Sequence, residues 1–375
     1  MSEVVIVEAV RTPFGKRGGA LAEVHPADLL ATVLRAVVDR AGIDPGSVGQ
    51  VVGGCIDQVG EQAMNVTRTG WLVAGFPEHV AQTTIDSQCG SSQQALTLAA
   101  GLVGSGIVDV AIACGVESMT RVPMLCTLDG PGHPAPPSYH DRYGEFVLQL
   151  ESGERIARKW GISRAETDAL GLESQRRAQR AWAEGRFESQ IAPVGAVERD
   201  QGLRETSADA LTALKPVHPD GGVHTAGSAS QITDGASAVL ITTAERAAEL
   251  GLRVRARIVD SVLVGSDPIL MLTGPIPATQ ALLERNDMRI DDIDVIEINE
   301  AFASVVLAWQ REIKADMDRV NPNGGAIALG HPLGATGTAL ITKAVHELQR
   351  TGGRHALVTI CCGGGLGTGT LIERI

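Results

Sequence analysis

The run Asp86-Ser87-Gln88-Cys89-Gly90-Ser91-Ser92-Gln93-Gln94-Ala95-Leu96 sets one thiol where a strand gives way to a helix. Gly-Ser-Ser is a poor strand and a good helix opening. A cysteine at that point feels the positive end of the peptide dipoles and unpaired N–H groups, which favour thiolate over thiol. Cys89 is therefore a candidate nucleophile; the plainer reading is a small buried hydrophobe, the usual state of a free cysteine. In Gly330-His331-Pro332, Pro at a helix start and flanking glycines fix a tight backbone that aims His331, as a structural or a functional imidazole. Ile360-Cys361-Cys362-Gly363-Gly364-Gly365-Leu366-Gly367 sets a second thiol beside approachable backbone amides, a layout suited to stabilising an oxyanion. A metal pair fits poorly, because adjacent cysteines lack the spacing of a zinc knuckle. Asn299 ends a strand, where its amide either holds a water or carbonyl oxygen or merely caps the chain.

These residues need a large, tightly packed scaffold. The chain has 375 residues, 44% hydrophobic, 3% aromatic and with 44 glycines. That suits two domains, or a duplicated unit, of Ala/Val/Gly-rich α/β type. A net charge of -12 without a basic stripe argues against nucleic acid as a partner. Cysteines at 55, 89, 114, 126, 361 and 362, with no cationic start and apolar leader, fit a reducing cytoplasm. No apolar run approaches the roughly 18 residues of a membrane helix, so a soluble protein is expected.

Along the chain, Val4 to Val7 reads as a buried strand, and Pro26-Ala27-Asp28 opens a helix stopped by Gly42. Val51 to Cys55 and Val108 to Gly115 read as further strands around the Cys89 helix. From about Glu117 the periodicity lapses into Pro- and Gly-rich chain, the mark of a lid or binding loop. Helices return at Glu154 to Trp160 and, behind the capping box Ser163-x-x-Glu166, at Arg164 to about Ala183. Residues 225 to 235 form a small-residue loop leading into the strand Ala236 to Thr242. The first theme then recurs: strands Val254 to Leu263 and Asp294 to Ile298, a helix from Pro277, the loop-into-helix Ala328 to Leu340, and the strand Ala356 to Gly363. Two similar halves are expected, each bringing a helix N-terminus with a reactive residue to one site.

The Cys89 stretch, Asn299-Glu300-Ala301-Phe302-Ala303, Asn321 to Gly334 and Cys361-x-Gly363-Gly364-Gly365-x-Gly367 together resemble the four signature blocks of the thiolases, over essentially the whole chain. The resemblance implies a five-layer αβαβα fold of two similar halves, 1–118 (completed by 225–250) and 251–375, with an inserted loop domain at 119–224 over the active site. It implies an acyltransferase in which Cys89 takes the acyl group of a 3-oxoacyl-CoA and His331 activates it. Cys361 would move the proton of the acetyl-CoA carbanion or of incoming coenzyme A. His331 with a water on Asn299 would hold the enolate oxygen, and the N–H groups of Cys89 and Gly363 the tetrahedral oxyanion. Ala226, Ser230, Ala301 and Phe302 would lie along the pantetheine arm and Arg204 near the nucleotide phosphates, although ordinary close packing also explains those small residues.

No metal and no tightly bound cofactor is implied; coenzyme A and acyl-CoA enter as substrates, in a cytoplasmic homodimer or homotetramer. Two departures stand out. Leu148-Gln149-Leu150 occupies the place of a His-Met-Gly run found in many thiolases, and Cys362 that of an aliphatic residue. Both point away from acetoacetyl-CoA and toward a longer or bulkier acyl group, and the wording around Arg11 and Cys89 is similar to degradative actinobacterial thiolases, some of which act on steroid side chains. The rival readings are a condensing biosynthetic thiolase, a β-ketoacyl synthase, disfavoured by the second thiol, and a non-catalytic lipid- or CoA-binding homologue.

Overall fold

The computed structural model describes residues 2–375. The N-terminal half contains β1 (Val4–Arg11), β2 (Gly15–Lys16), α1 (Pro26–Ala41), β3 (Gln50–Gly54), α2 (Val66–Val73), β4 (Ala81–Ile85), α3 (Ser91–Gly104) and β5 (Val110–Ser118). A long excursion follows with α4 (Pro137–Tyr143), α5 (Gln149–Trp160), α6 (Arg164–Ala183) and α7 (Ala208–Thr212). Then come β6 (Thr233–Thr243), α8 (Ala244–Glu249), β7 (Ala256–Gly265), α9 (Pro275–Arg285), β8 (Val295–Ile298), α10 (Ala303–Ile313), α11 (Ala326–Leu329), α12 (Thr336–Thr351), β9 (His355–Cys362) and β10 (Leu366–Arg374).

Strand order shows the duplication directly. The path runs β4-β3-β5-β6-β1 and then β7-β10-β9-β8. From each end, the inner strands pair in parallel (β3 with β5, β8 with β9) and the next two antiparallel. Even the edge has its echo: Val320 makes a parallel bridge to Ile296, where the other half has all of β4. The halves meet where β1 and β7 share only the pairs Val5/Arg257 and Ile6/Ala256.

So short a junction lets the sheet divide into two layers with helices between and outside them. In the middle, α3 and α12 pack on each other: Thr338 N–H donates to Ser92 Oγ at 3.0 Å, and Gln93 Nε2 reaches Val358 O and Thr370 Oγ1 in the far sheet. Their apolar side chains, among them Leu96, Ala99, Leu340 and Ile341, form one core with residues of both sheets. A second core lies under α1 and α2, with Leu30, Leu34 and Trp71, and a third under α9 and α10, with Leu282 and Trp309. The expected αβαβα stack of two similar halves is therefore present, its driving force the burial of Ala, Val, Leu and Ile on two-sided sheets.

Local signals act as their chemistry requires. Pro26 opens α1 and Gly42, at φ 71°, closes it. Ser163 and Glu166 form the capping box of α6. The helix expected from Glu154 begins a turn and a half earlier, at Gln149, because Leu148 is the last extended residue. No helix of the described residues is long and apolar enough to cross a membrane.

Candidate active site

Cys89 does not lie within α3 but just ahead of it, because Gly90 is the N-cap and Ser91 the first helical residue. The turn that holds it is strained at Gln88, whose φ is 53°. Asp86 Oδ1 compensates by accepting from Gln88 N–H at 2.7 Å, and Ser91 Oγ accepts from Ser87 N–H at 2.9 Å. Cys89 is 6% exposed, and burial pushes its thiol up to about 12 against the pull of the N–H groups of Gly363 and Cys89 itself. The expectation of a lowered pKa at a helix start is thus corrected: desolvation outweighs the dipole, and Cys89 rests as a neutral thiol.

A neutral thiol needs a base, for which His331 is the candidate, and the hydrogen bonds around its ring fix its tautomer. Gly330, at φ 110°, swings the chain out of α11, so Pro332 precedes a short turn, Leu333–Ala335, rather than starting α12 as expected. Thr336 Oγ1 donates to Pro332 O at 2.8 Å, which uses its only proton. Its contact with His331 Nδ1 at 2.6 Å must then be donated by the imidazole. Nε2 is left with its lone pair, and Asn299 Nδ2 donates to it at 3.2 Å. Burial pulls His331 down to about 3, which keeps that ring neutral. Asn299 is tied by its own N–H to Thr359 O at 3.1 Å, and its Oδ1 is buried without a partner, so the amide presents an open acceptor.

Cys361 is wholly enclosed at the end of β9, and burial, then the nearness of the ionisable Cys89 sulfur, push its thiol well up. Cys362 is raised for the same two reasons, and its sulfur abuts Gly90, where an added Cβ would sit 2.7 Å from it. Cys89 and Gly363 face a cavity of about 770 Å³; Asn299, His331 and Cys361 do not line it and are buried, at 1%, 3% and 0% exposure. Met124, Leu128, Tyr139, Phe146 and Leu148 make much of the cavity wall apolar. Leu148 and Gln149, read above only as a departure, thus flank the cavity that Cys89 enters.

The residues expected along the coenzyme form one strip. Ser230 N–H donates to Ala301 O at 2.9 Å, Ala229 bridges Phe302, and Arg204 Nη1 reaches Ala226 O at 3.4 Å. None of them lines the 770 Å³ cavity. Among the described residues no His, Cys, Asp or Glu cluster is arranged to hold a metal. Two features escaped the sequence: Thr336, which fixes the imidazole tautomer from inside a Gly-Ala-Thr-Gly run, and the wall residues, which no periodicity marks. Two protonated thiols, an imidazole with an unprotonated Nε2 and an unpartnered amide oxygen suit acyl transfer with matched proton movements.

Comparison with known proteins agrees. Residues 4–245 match the family model "Thiolase, N-terminal domain" and residues 252–374 "Thiolase, C-terminal domain". The chain is 48% identical to the steroid 3-ketoacyl-CoA thiolase of Mycobacterium tuberculosis, over all of this chain and 95% of that one. It is 40% identical to the β-ketoadipyl-CoA thiolase of Pseudomonas putida over the whole of both. Among solved structures, the acetyl-CoA acetyltransferase of Bacillus anthracis superposes with a TM-score of 0.92 at 36% identity, covering 100% and 99% of the two chains.

Proposed function

The chain belongs to the thiolase family, and from that premise we propose that it is a degradative acyltransferase, cleaving a 3-oxoacyl-CoA with coenzyme A to acetyl-CoA and a shortened acyl-CoA. The observation that carries this reading is the fixed tautomer of His331, whose unprotonated Nε2 is the acceptor a neutral Cys89 needs. The relatives named for steroid 3-ketoacyl-CoA and β-ketoadipyl-CoA support the degradative direction.

Cys89 passes its proton to His331 Nε2 as sulfur attacks the 3-oxo carbon, and the N–H groups of Cys89 and Gly363 take the developing oxyanion. The bond between C2 and C3 then breaks. Its electron pair goes to acetyl-CoA as an enolate, whose oxygen is held by the new Nε2–H of His331 and a water on Asn299. The Cys361 thiol protonates that carbanion, which suits a group kept neutral by burial. In the second half, the Cys361 thiolate takes the proton of incoming coenzyme A. The coenzyme's sulfur displaces the acyl group, and Cys89 recovers its proton from His331.

For the substrate, the width and apolar wall of the cavity beside Cys89 favour a longer or bulkier acyl group, in fatty-acid or steroid side-chain breakdown. The alternative, condensation of two acetyl-CoA, draws on the similarity to an acetyl-CoA acetyltransferase, and that cavity is large for it. The strip from Ala226 to Ser230 with Ala301, Phe302 and Arg204 would carry the coenzyme, and 119–224 would cover the site between halves 1–118 and 251–375. A cytoplasmic homodimer or homotetramer completes the reading, with β4 as an open sheet edge. Assays of coenzyme-dependent loss of 3-oxoacyl-CoA, with acetoacetyl-, medium-chain and steroid-derived substrates, test it. Turnover rising with acyl size is expected, and a preference for acetoacetyl-CoA would reverse the substrate assignment.

A further inference from the structure

Glu117 is the next-to-last residue of β5, wholly buried, and among the described residues no cation pairs with it. Its carboxylate is ringed by donors instead. Oε1 accepts from Gln62 Nε2 at 2.7 Å and Asp57 N–H at 3.2 Å, and Cys55 Sγ lies 3.7 Å away. Oε2 accepts from Ile56 N–H at 3.0 Å and from Gly334 N–H at 2.8 Å. The first four donors belong to the half that carries Cys89. Gly334 belongs to the other, three residues beyond His331 and two before the Thr336 that holds its ring.

The fit around Gly334 leaves little freedom. An added Cβ would meet Val116 O at 2.6 Å, Gly54 O at 2.7 Å and Cys55 Cα at 2.8 Å, so the turn enters between the ends of β3 and β5. His331 N–H donates to Gln231 O on one side of the turn, and Ser237 Oγ to Ala335 O on the other. Between those two points, the Glu117 carboxyl is the acceptor that joins the turn to the Cys89 half. A carboxylate can accept from four donors at once, whereas an amide would set an NH2 against two of them.

We propose that Glu117 is a positioning residue for the reaction: by holding Gly334 N–H against the 55–57 turn, it sets His331 in register with Cys89. The proposal rests on the roles given above to those two residues, and it concerns the chemical steps rather than coenzyme binding. In the full chain, Glu117→Gln is expected to lower kcat at least about 30-fold and to slow iodoacetamide alkylation of Cys89 by a similar factor, with KM within about threefold. Glu117→Asp keeps the carboxyl group and is expected to recover at least about fivefold of the lost kcat. Circular dichroism and light scattering should match wild type. A Glu117→Gln kcat within about threefold of wild type overturns the proposal, as does a loss confined to stability or KM. Should Glu117→Gln fail to fold, Glu117→Asp decides alone: lower kcat at unchanged KM supports the proposal, and wild-type kcat overturns it. An inactive wild type, or an active Cys89→Ala, would instead remove the underlying reading.

Discussion

Asn299 Nδ2 stands 3.2 Å from Nε2 of His331 and donates to it, joining the strand end after β8 to the turn after α11. Because Thr336 Oγ1 already accepts from Nδ1–H, this bond marks Nε2 as the unprotonated nitrogen. Replacing Asn299 by Asp puts an acceptor where a donor stood, which favours an Nε2–H and hence an imidazolium. Glyoxaline nitrogen shifts measured by NMR should show a neutral Nδ1–H ring in wild type from pH 5 to 8 and a protonated ring in Asn299→Asp at the low end. Turnover should fall on the order of 100-fold.

Cys89 is predicted to show no preformed thiolate. With its thiol raised to about 12, the anion grows with pH through the whole neutral range, so alkylation by iodoacetamide should speed up about tenfold per pH unit between 7 and 9. A plateau below pH 8 would mean that an ion pair with His331 already exists at rest. Cys89→Ala should abolish both thiolysis and the acyl adduct seen by mass spectrometry.

Cys361→Ser separates the two sulfur roles. It should still accept an acyl group from an acyl-CoA donor, because Cys89 and His331 remain. Carbon–carbon cleavage should drop roughly 100-fold or more, since a hydroxyl is a far weaker acid than a thiol. Equal loss of both activities would remove Cys361 from proton transfer.

Leu148 is predicted to gate acyl size. Leu148→Trp fills part of the cavity that Cys89 faces and should cut kcat/KM for bulky 3-oxoacyl-CoA about tenfold while sparing acetoacetyl-CoA. Parallel assays on the two substrates check the ratio.

Stability has a separate test in Arg11 and Asp200. The pair is fully buried and bidentate, at 2.7 and 2.9 Å, and Asp200 also accepts from Phe14 N–H and Trp182 Nε1. Arg11→Ala strands that carboxylate and should cost about 3–5 kcal/mol in urea unfolding. Arg11→Ala with Asp200→Ala together should cost less than the sum of the two single changes.

The candidate site residues stand out in the sequence because each sits beside chemistry that shows in one dimension: glycines before a helix, a proline after a histidine, a thiol before three glycines. The capped helices α1 and α6 were legible for the same reason. What escaped has a common cause. Strand β4, Ala-Gln-Thr-Thr-Ile, is a half-exposed edge with little apolar pattern, and α2 carries β-branched residues and a glycine that pass for loop until packed on α1. Strand β10 is hidden by its glycines and threonines. The resting state of Cys89 was misjudged because a helix start is visible in sequence while the depth of burial is not. The hydrogen bonds to Thr336 and Glu117 likewise join residues whose pairing depends on three-dimensional approach.

The proposed nucleophile, Cys89, comes from one copy of the repeated unit and the proposed base and acid, His331 and Cys361, from the other, and the two copies' sheets join through two residue pairs. An ancestor made of a single copy could have assembled this chemistry only by placing two identical chains side by side. Fusion would then have freed each copy to keep one task, with Cys89 just ahead of α3 and His331 before the turn that leads into α12.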